Sequence, residues 1–184
     1  MTIEEFVFQC LGAQGWRGTW CEGSSFIPII ELVRQLVEGK GIRFFPVEWD
    51  ISGRHFVREE LSDKETHILW AAISVVTDRL LEGFYKEWQT IDPRNATKSV
   101  SLDQLLDIWH SFGQDEIHRI CARAMLGFYT AWWPDLTLHR DGKIRFVEVK
   151  KGSDKFTHRQ SYWVRNFALP LDWDVVVLNV ILEK

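Results

Sequence analysis

Residues 134–150, Pro134-Asp135-Leu136-Thr137-Leu138-His139-Arg140-Asp141-Gly142-Lys143-Ile144-Arg145-Phe146-Val147-Glu148-Val149-Lys150, decide the fold. Asp-Gly between two apolar-rich runs predicts a β-hairpin, because a two-residue type I′ turn needs positive φ at both central positions. With Asp141-Gly142 as the loop, Arg140 pairs with Lys143, and counting outward sets Asp135 opposite Glu148. Directly opposed residues share a face, with Cβ atoms about 4.5–5.5 Å apart. Two carboxylates so placed repel each other unless a cation lies between them. Lys150 follows Glu148 by two residues and shares its face, since side chains alternate along a strand. Two acids and a lysine at one strand end suggest a divalent-metal site with a helper cation, the arrangement a nuclease uses.

Working outward, Thr157 and Gln160 have capping-box spacing and open a helix at about 158–167. The closing run Trp173–Ile181 is nearly all β-branched or apolar and reads as a strand buried on both faces. Upstream, Ser24 or Ser25 caps a helix running to Val37 with Pro28 in its first turn, ended by Gly39 and Gly41. Residues 42–49 are apolar but broken by Pro46, so they form a short strand or an irregular packed segment. Asp63 to about Trp88 has helical apolar spacing, with Gly83 as its weak point. Asp92-Pro93-Arg94-Asn95 breaks the chain. Ser101 and Gln104 open a helix over Leu102–Phe112 that Gly113 closes, and Asp115 and Glu116 open another to about Leu126. Helices around a small sheet make an α/β protein, with no repeat and no long linker.

The 184 residues suffice for one domain with a sizeable core, and 46% apolar residues with ten tryptophans argue for a folded globule. Three cysteines (Cys10, Cys21, Cys121) without a Cys-x-x-Cys, and six scattered histidines, argue against a disulfide framework or a zinc site and fit a reducing compartment. The acidic start Met1-Thr2-Ile3-Glu4-Glu5 lacks the plan of a signal peptide, and no apolar stretch reaches the length of a membrane span. A soluble protein is expected, cytoplasmic in a bacterium or phage and nuclear in a eukaryote. The net charge of −4 is unevenly spread: His139–Arg165 carries about +5 and the remainder about −9. A basic stretch beside acidic groups suits a phosphodiester substrate, although a solvated charge-mixed surface would give the same count.

Pro134-Asp135-Leu136, Phe146-Val147-Glu148-Val149-Lys150 and Asp154-Lys155-Phe156-Thr157-His158-Arg159-Gln160 together resemble the VRR-NUC domain of the PD-(D/E)xK nucleases. Trp163 and the closing valine-rich strand fit as well. Glu22-Gly23-Ser24-Ser25-Phe26 ahead of an apolar helix is similar to the matching segment of Fanconi-associated nucleases, so that the resemblance covers about residues 15–182. It implies a restriction-endonuclease-like core, with residues 1–184 as a single nuclease domain and a helical insertion over about 45–112. It implies that Glu22, Asp135, Glu148 and the Val149 carbonyl ligate Mg²⁺ or Mn²⁺, hard cations that prefer oxygen. Lys150 would orient or deprotonate the attacking water and stabilise charge on the phosphate, with Gln160 beside it. Lys151, Lys155 and Arg159 would contact phosphate or DNA. Glu22 before a helix is favoured by the helix dipole as well, and Glu116 is the competing third acid, since stand-alone VRR-NUC domains carry it on a helix before the hairpin.

Two departures bear on the substrate. Where Fanconi-associated nucleases have a basic stretch before Pro-Asp, this chain reads Phe128-Tyr129-Thr130-Ala131-Trp132-Trp133, aromatics that stack on bases but do not replace phosphate-binding arginines. The DNA-binding and helical-repeat domains of those enzymes have no counterpart in this sequence, so DNA affinity would come from a partner protein, or the binding would be weak or the substrate short. In the Fanconi-associated nucleases a helical insertion before the hairpin blocks the dimer of stand-alone relatives, so the resemblance implies a monomer acting on branched DNA, a flap or a single-strand/duplex junction. The alternatives are a Holliday-junction-resolving homodimer and a non-catalytic nucleic-acid or protein interaction module that keeps the fold.

Overall fold

The Asp141-Gly142 turn has φ of 51° and 72°, positive at both residues as a type I′ hairpin demands. It joins β2 (Leu136–Arg140) to β3 (Lys143–Lys151) in the expected register, from Arg140 opposite Lys143 to Leu136 opposite Val147. The computed structural model describes residues 1–20, 26–42, 44, 60–91, 100–126, 133–152 and 154–181. A short strand β1 (Arg17–Trp20) pairs antiparallel with β2, and the closing strand β4 (Asp174–Val180) pairs parallel with β3. The result is a small mixed sheet of order β1-β2-β3-β4. Gly18 is required in β1 because a Cβ there would overlap the carbonyl oxygen of Thr137 on the neighbouring strand.

The described residues gather into two compact units. The first comprises Met1–Ser25, Thr97–Ser111 and Ala131–Lys184 and contains the sheet. Leu136, Leu138, Val147 and Val149 line one sheet face and are buried with Val7 and Trp16. Helix α1 (Ile3–Gly12) packs Ile3, Val7, Phe8 and Leu11 there, a spacing that puts all four on one helix face. Full burial contributes about 1.5–3 kcal/mol for each large aliphatic side chain. Arg140 and Arg145 lie on the Trp16 ring of the same face, at 4.7 and 4.5 Å from its centroid.

The second unit comprises Phe26–Ala96 and Phe112–Thr130. It contains α2 (Ile27–Glu38), α3 (Asp63–Ser74) and α4 (Asp78–Ile91), together with the second half of α5 (Leu102–Met125). The interval of about 45–112 expected as an insertion thus contributes α3 and α4 to this unit and Leu102–Ser111 to the first. Gly113, at φ 68° and ψ 173°, breaks α5 at the residue where the sequence ends one helix and begins the next.

Four local expectations need correction. The first residue before α2 is Phe26, which makes no side-chain cap; Ser24 and Ser25 lie outside the described residues. Asp63 to Trp88 is two helices, parted at the β-branched run Val75-Val76-Thr77, where the Thr77 hydroxyl accepts the N–H of Leu80 and starts α4. Gly83 lies inside α4 without breaking it. Among the described residues β4 pairs with β3 alone, and Val177 is 49% exposed, so its apolar run does not mean burial on both faces. Elements α1 and β1 go beyond the sequence reading, although Thr2 and Glu5 form a complete capping box.

Candidate active site

Asp135 stands immediately before β2, one rung beyond the Leu136–Val147 pair. Its Oδ2 accepts the Val149 N–H at 2.7 Å, so a side chain supplies the partner that the ended strand no longer offers. In an antiparallel pair the N–H and C=O of one residue point to the same neighbour, which sets the Val149 carbonyl on the Asp135 flank too. Glu148 occupies the opposite sheet face from Val147 and Val149 and is 3% exposed. A carboxylate so deeply buried needs donors.

Lys150 and Gln160 supply them. Lys150 Nζ donates to Glu148 Oε1 at 2.7 Å and to Gln160 Oε1 at 3.1 Å, and Gln160 Nε2 donates to Glu148 Oε1. Gln160 comes from α6 (His158–Trp163), where it also closes the capping box with Thr157. Its amide oxygen accepts the Thr157 N–H at 2.8 Å, so the residue serves the helix start and the carboxylate at once.

An aromatic cluster braces all three segments. Trp133 precedes Pro134-Asp135, Phe146 lies two residues before Glu148 on the same face, and Trp163 follows Gln160 by three. Their ring centroids are 5.1–5.5 Å apart, with Phe167 and Trp173 completing the cluster. Such pairs contribute about 0.5–1.5 kcal/mol each beyond the area they bury. Trp133 is therefore a core residue, 3% exposed, and not the base-stacking surface its position in the aromatic stretch suggests. Residues 128–132 lie outside the described residues.

A further polar group on the Glu148 face was not anticipated. His139, 6% exposed, contacts Asp107 Oδ2 through Nε2 at 2.7 Å, and Arg17 lies 3.6 Å from Asp107 Oδ1. This ties the first half of α5 to β1 and β2. Asp107 and His139 are 32 residues apart in sequence, and no local pattern links them.

The structure thus brings together Asp135, Glu148, Lys150 and Gln160. Lys155 and Arg159 are exposed on the segment that leads into and begins α6. Lys151 faces the other side of the sheet, exposed near the start of α1. Glu22 lies outside the described residues. Glu116 belongs to the second unit, where Arg119 donates to it at 2.5 Å. Among the described residues no group of three or more His, Cys, Asp or Glu side chains gathers as a metal site. The carboxylate pair and the Val149 carbonyl are nevertheless hard oxygen donors, and two carboxylates against one lysine leave a negative site, which fits a divalent cation of the Mg²⁺ type. No helix among the described residues is long and apolar enough to cross a membrane.

No protein-family model and no curated protein matches the chain. Among solved structures it is similar to paFAN1 bound to 2nt 5′flap DNA with gap, at 14% identity and a TM-score of 0.61, over 100% of this chain and 36% of that one. A second paFAN1 structure, bound to 1nt 5′flap DNA with gap, gives 16% identity and a TM-score of 0.56 over the same shares. The chain thus spans about a third of the length of those proteins. The likeness is one of fold: a small mixed sheet flanked by helices, as in the FAN1 nuclease domain, in agreement with the resemblance read from the motifs.

Proposed function

We propose that this chain is a divalent-metal-dependent nuclease that hydrolyses phosphodiester bonds in flap or branched DNA. The observation that carries the reading is the buried Glu148 carboxylate, set opposite Asp135 and held by Lys150 and Gln160. The fold it shares with paFAN1 structures solved on flap DNA supports the choice of substrate. Asp135, Glu148 and the Val149 carbonyl would hold Mg²⁺ or Mn²⁺, with Glu22 as a further acid. The bound metal would lower the pKa of a water and stabilise charge on the phosphate. Lys150 lies at the same place and offsets the charge that builds on the phosphate oxygens as the bond breaks. Gln160 restrains both Glu148 and Lys150, which keeps the ammonium beside the carboxylate and limits its reorientation during the reaction. Lys155 and Arg159 supply exposed cations for phosphates near the site, with Lys151 on the far face of the sheet.

Cleavage of a labelled panel (5′ flap, 3′ flap, four-way junction, single strand, RNA) with Mg²⁺ or Mn²⁺ tests this. The expected result is metal-dependent cutting of flap or branched DNA that Asp135→Ala and Lys150→Ala abolish. No metal-dependent cutting of any substrate would leave a non-catalytic module, and undiminished cutting by those variants would overturn the assignment of the site to Asp135 and Lys150. The protein acts as a monomer in this reading. A dimer mass by light scattering together with symmetric junction cleavage would replace it with a resolvase.

A further inference from the structure

We infer that Thr157 is a positioning residue: its hydroxyl, acting with its own N–H and the Lys150 ammonium, holds the Gln160 amide the right way round, and through it the Glu148–Lys150 pair. The inference rests on the nuclease reading of that pair. A glutamine amide has an acceptor oxygen and a donor nitrogen on nearly the same outline, so its partners alone decide the orientation. Here every partner of Oε1 is a donor: the Thr157 N–H at 2.8 Å, the Thr157 hydroxyl at 2.9 Å and the Lys150 ammonium at 3.1 Å. The partner of Nε2 is a carboxylate oxygen of Glu148. Turning the amide over would set its NH₂ against those donors and its oxygen against the carboxylate.

The hydroxyl has one proton, and the cap decides where it goes. Thr157 Oγ1 accepts the Gln160 backbone N–H at 3.2 Å, which engages a lone pair and leaves the proton for Gln160 Oε1. A helix-capping bond is thus linked through one hydroxyl and one amide to the buried catalytic carboxylate. Capping needs only the acceptor, whereas orienting the amide needs the donor, so the two roles separate by substitution. Aspartate caps a helix at least as well as threonine but has no proton to give at neutral pH. Serine supplies both.

The test uses the whole chain and a labelled 5′-flap oligonucleotide with Mg²⁺. Thr157→Asp is expected to keep the wild-type melting temperature and KM while kcat falls about ten- to a hundredfold, the range for partners that orient a ligand. Thr157→Ser is expected to restore kcat. In the metal-free chain, the Gln160 side-chain amide protons should exchange slowly with solvent in wild type and Thr157→Ser, and fast in Thr157→Asp. Wild-type kcat and slow exchange in Thr157→Asp, or a Thr157→Ser as slow as Thr157→Asp, would overturn the assignment. If Thr157→Asp does not fold, Thr157→Gly, which removes the hydroxyl at little cost to the cap, takes its place with the same two readouts and the same expected losses. Asp135→Ala run alongside separates the two ideas. Wild-type cleavage that needs Asp135 but ignores Thr157→Asp sinks only the role of Thr157, while cleavage indifferent to Asp135 sinks both.

Discussion

The Asp135 side chain continues the sheet where β2 has ended: its Oδ2 accepts the Val149 N–H at 2.7 Å, on the rung after Leu136–Val147. Asp135 thus has a structural role beside the chemical one proposed for it, and substitutions divide the two. Asp135→Asn keeps an oxygen for the Val149 N–H and removes the charge, so stability should change by less than about 1 kcal/mol, the range of a neutral hydrogen bond. Asp135→Ala loses the bond to a charged acceptor and should cost about 1.5–3 kcal/mol. Both should lose more than about a hundredfold in cleavage rate, beyond what outer partners of a metal site cost. Urea unfolding beside a cleavage assay reads both effects. Equal stability of the two variants would show that the Val149 bond carries no weight.

Lys150 and Glu148 form an ion pair whose side chains are 12% and 5% exposed. Removing one partner of such a pair leaves an uncompensated buried charge and typically costs about 3–5 kcal/mol. Lys150→Met should approach that loss, softened by the Gln160 donor. Glu148→Gln should be far milder, because it also relieves the repulsion with Asp135. The double variant should recover most of the stability lost in Lys150→Met while remaining inactive. Chemical unfolding of the three proteins decides it, and a Glu148→Gln as damaging as Lys150→Met would mean that the carboxylate is a net asset without metal.

Under the proposed function, that repulsion makes the stability of the folded chain respond to a divalent cation. A cation that binds only the folded form stabilises it by about 2.7 kcal/mol at a hundred times its Kd. Mg²⁺, Mn²⁺ or non-catalytic Ca²⁺ should raise the melting temperature of wild type, and Asp135→Asn or Glu148→Gln should abolish the shift. A shift that survives both substitutions would place the cation elsewhere.

The parts of this molecule legible in sequence are those set by local chemistry. Asp141-Gly142 dictates one turn, the turn dictates one register, and the register places Asp135 opposite Glu148. Gly113 and the boxes at Ser101–Gln104 and Thr157–Gln160 were equally readable, because a cap acts within four residues. What escaped depends on contacts remote in sequence. Four residues of β1 are too few to show a period, and an apolar run such as β4 reads alike at the edge or the centre of a sheet. The pair Asp107–His139 exists only because α5 lies on β2. Trp133 sits in a stretch whose composition suggests a binding surface, and the decisive fact, its burial against Phe146 and Trp163, belongs to the fold.

His118 in the second unit gives a pH test that is independent of the proposed active site. Its ring stacks on Trp70 with centroids 4.1 Å apart, and its Nε2 is buried without a hydrogen-bond partner among the described residues. Burial lowers its pKa below the usual 6.5, only partly offset by the Asp115 charge and a hydrogen bond to the Thr66 backbone. The folded chain therefore binds fewer protons than the unfolded chain as the pH falls below 6.5. Stability rises with pH wherever the unfolded state holds more protons, so this contribution is complete above the unfolded value and declines on acidification until the folded imidazole also protonates. His118→Gln removes the titration. The stability difference between wild type and His118→Gln should thus shift against wild type between about pH 7.5 and about pH 5, while other groups cancel in the difference. Urea unfolding of both proteins across that range measures it, and a difference that stays constant with pH would show that His118 protonates as readily in the folded chain as in the unfolded one.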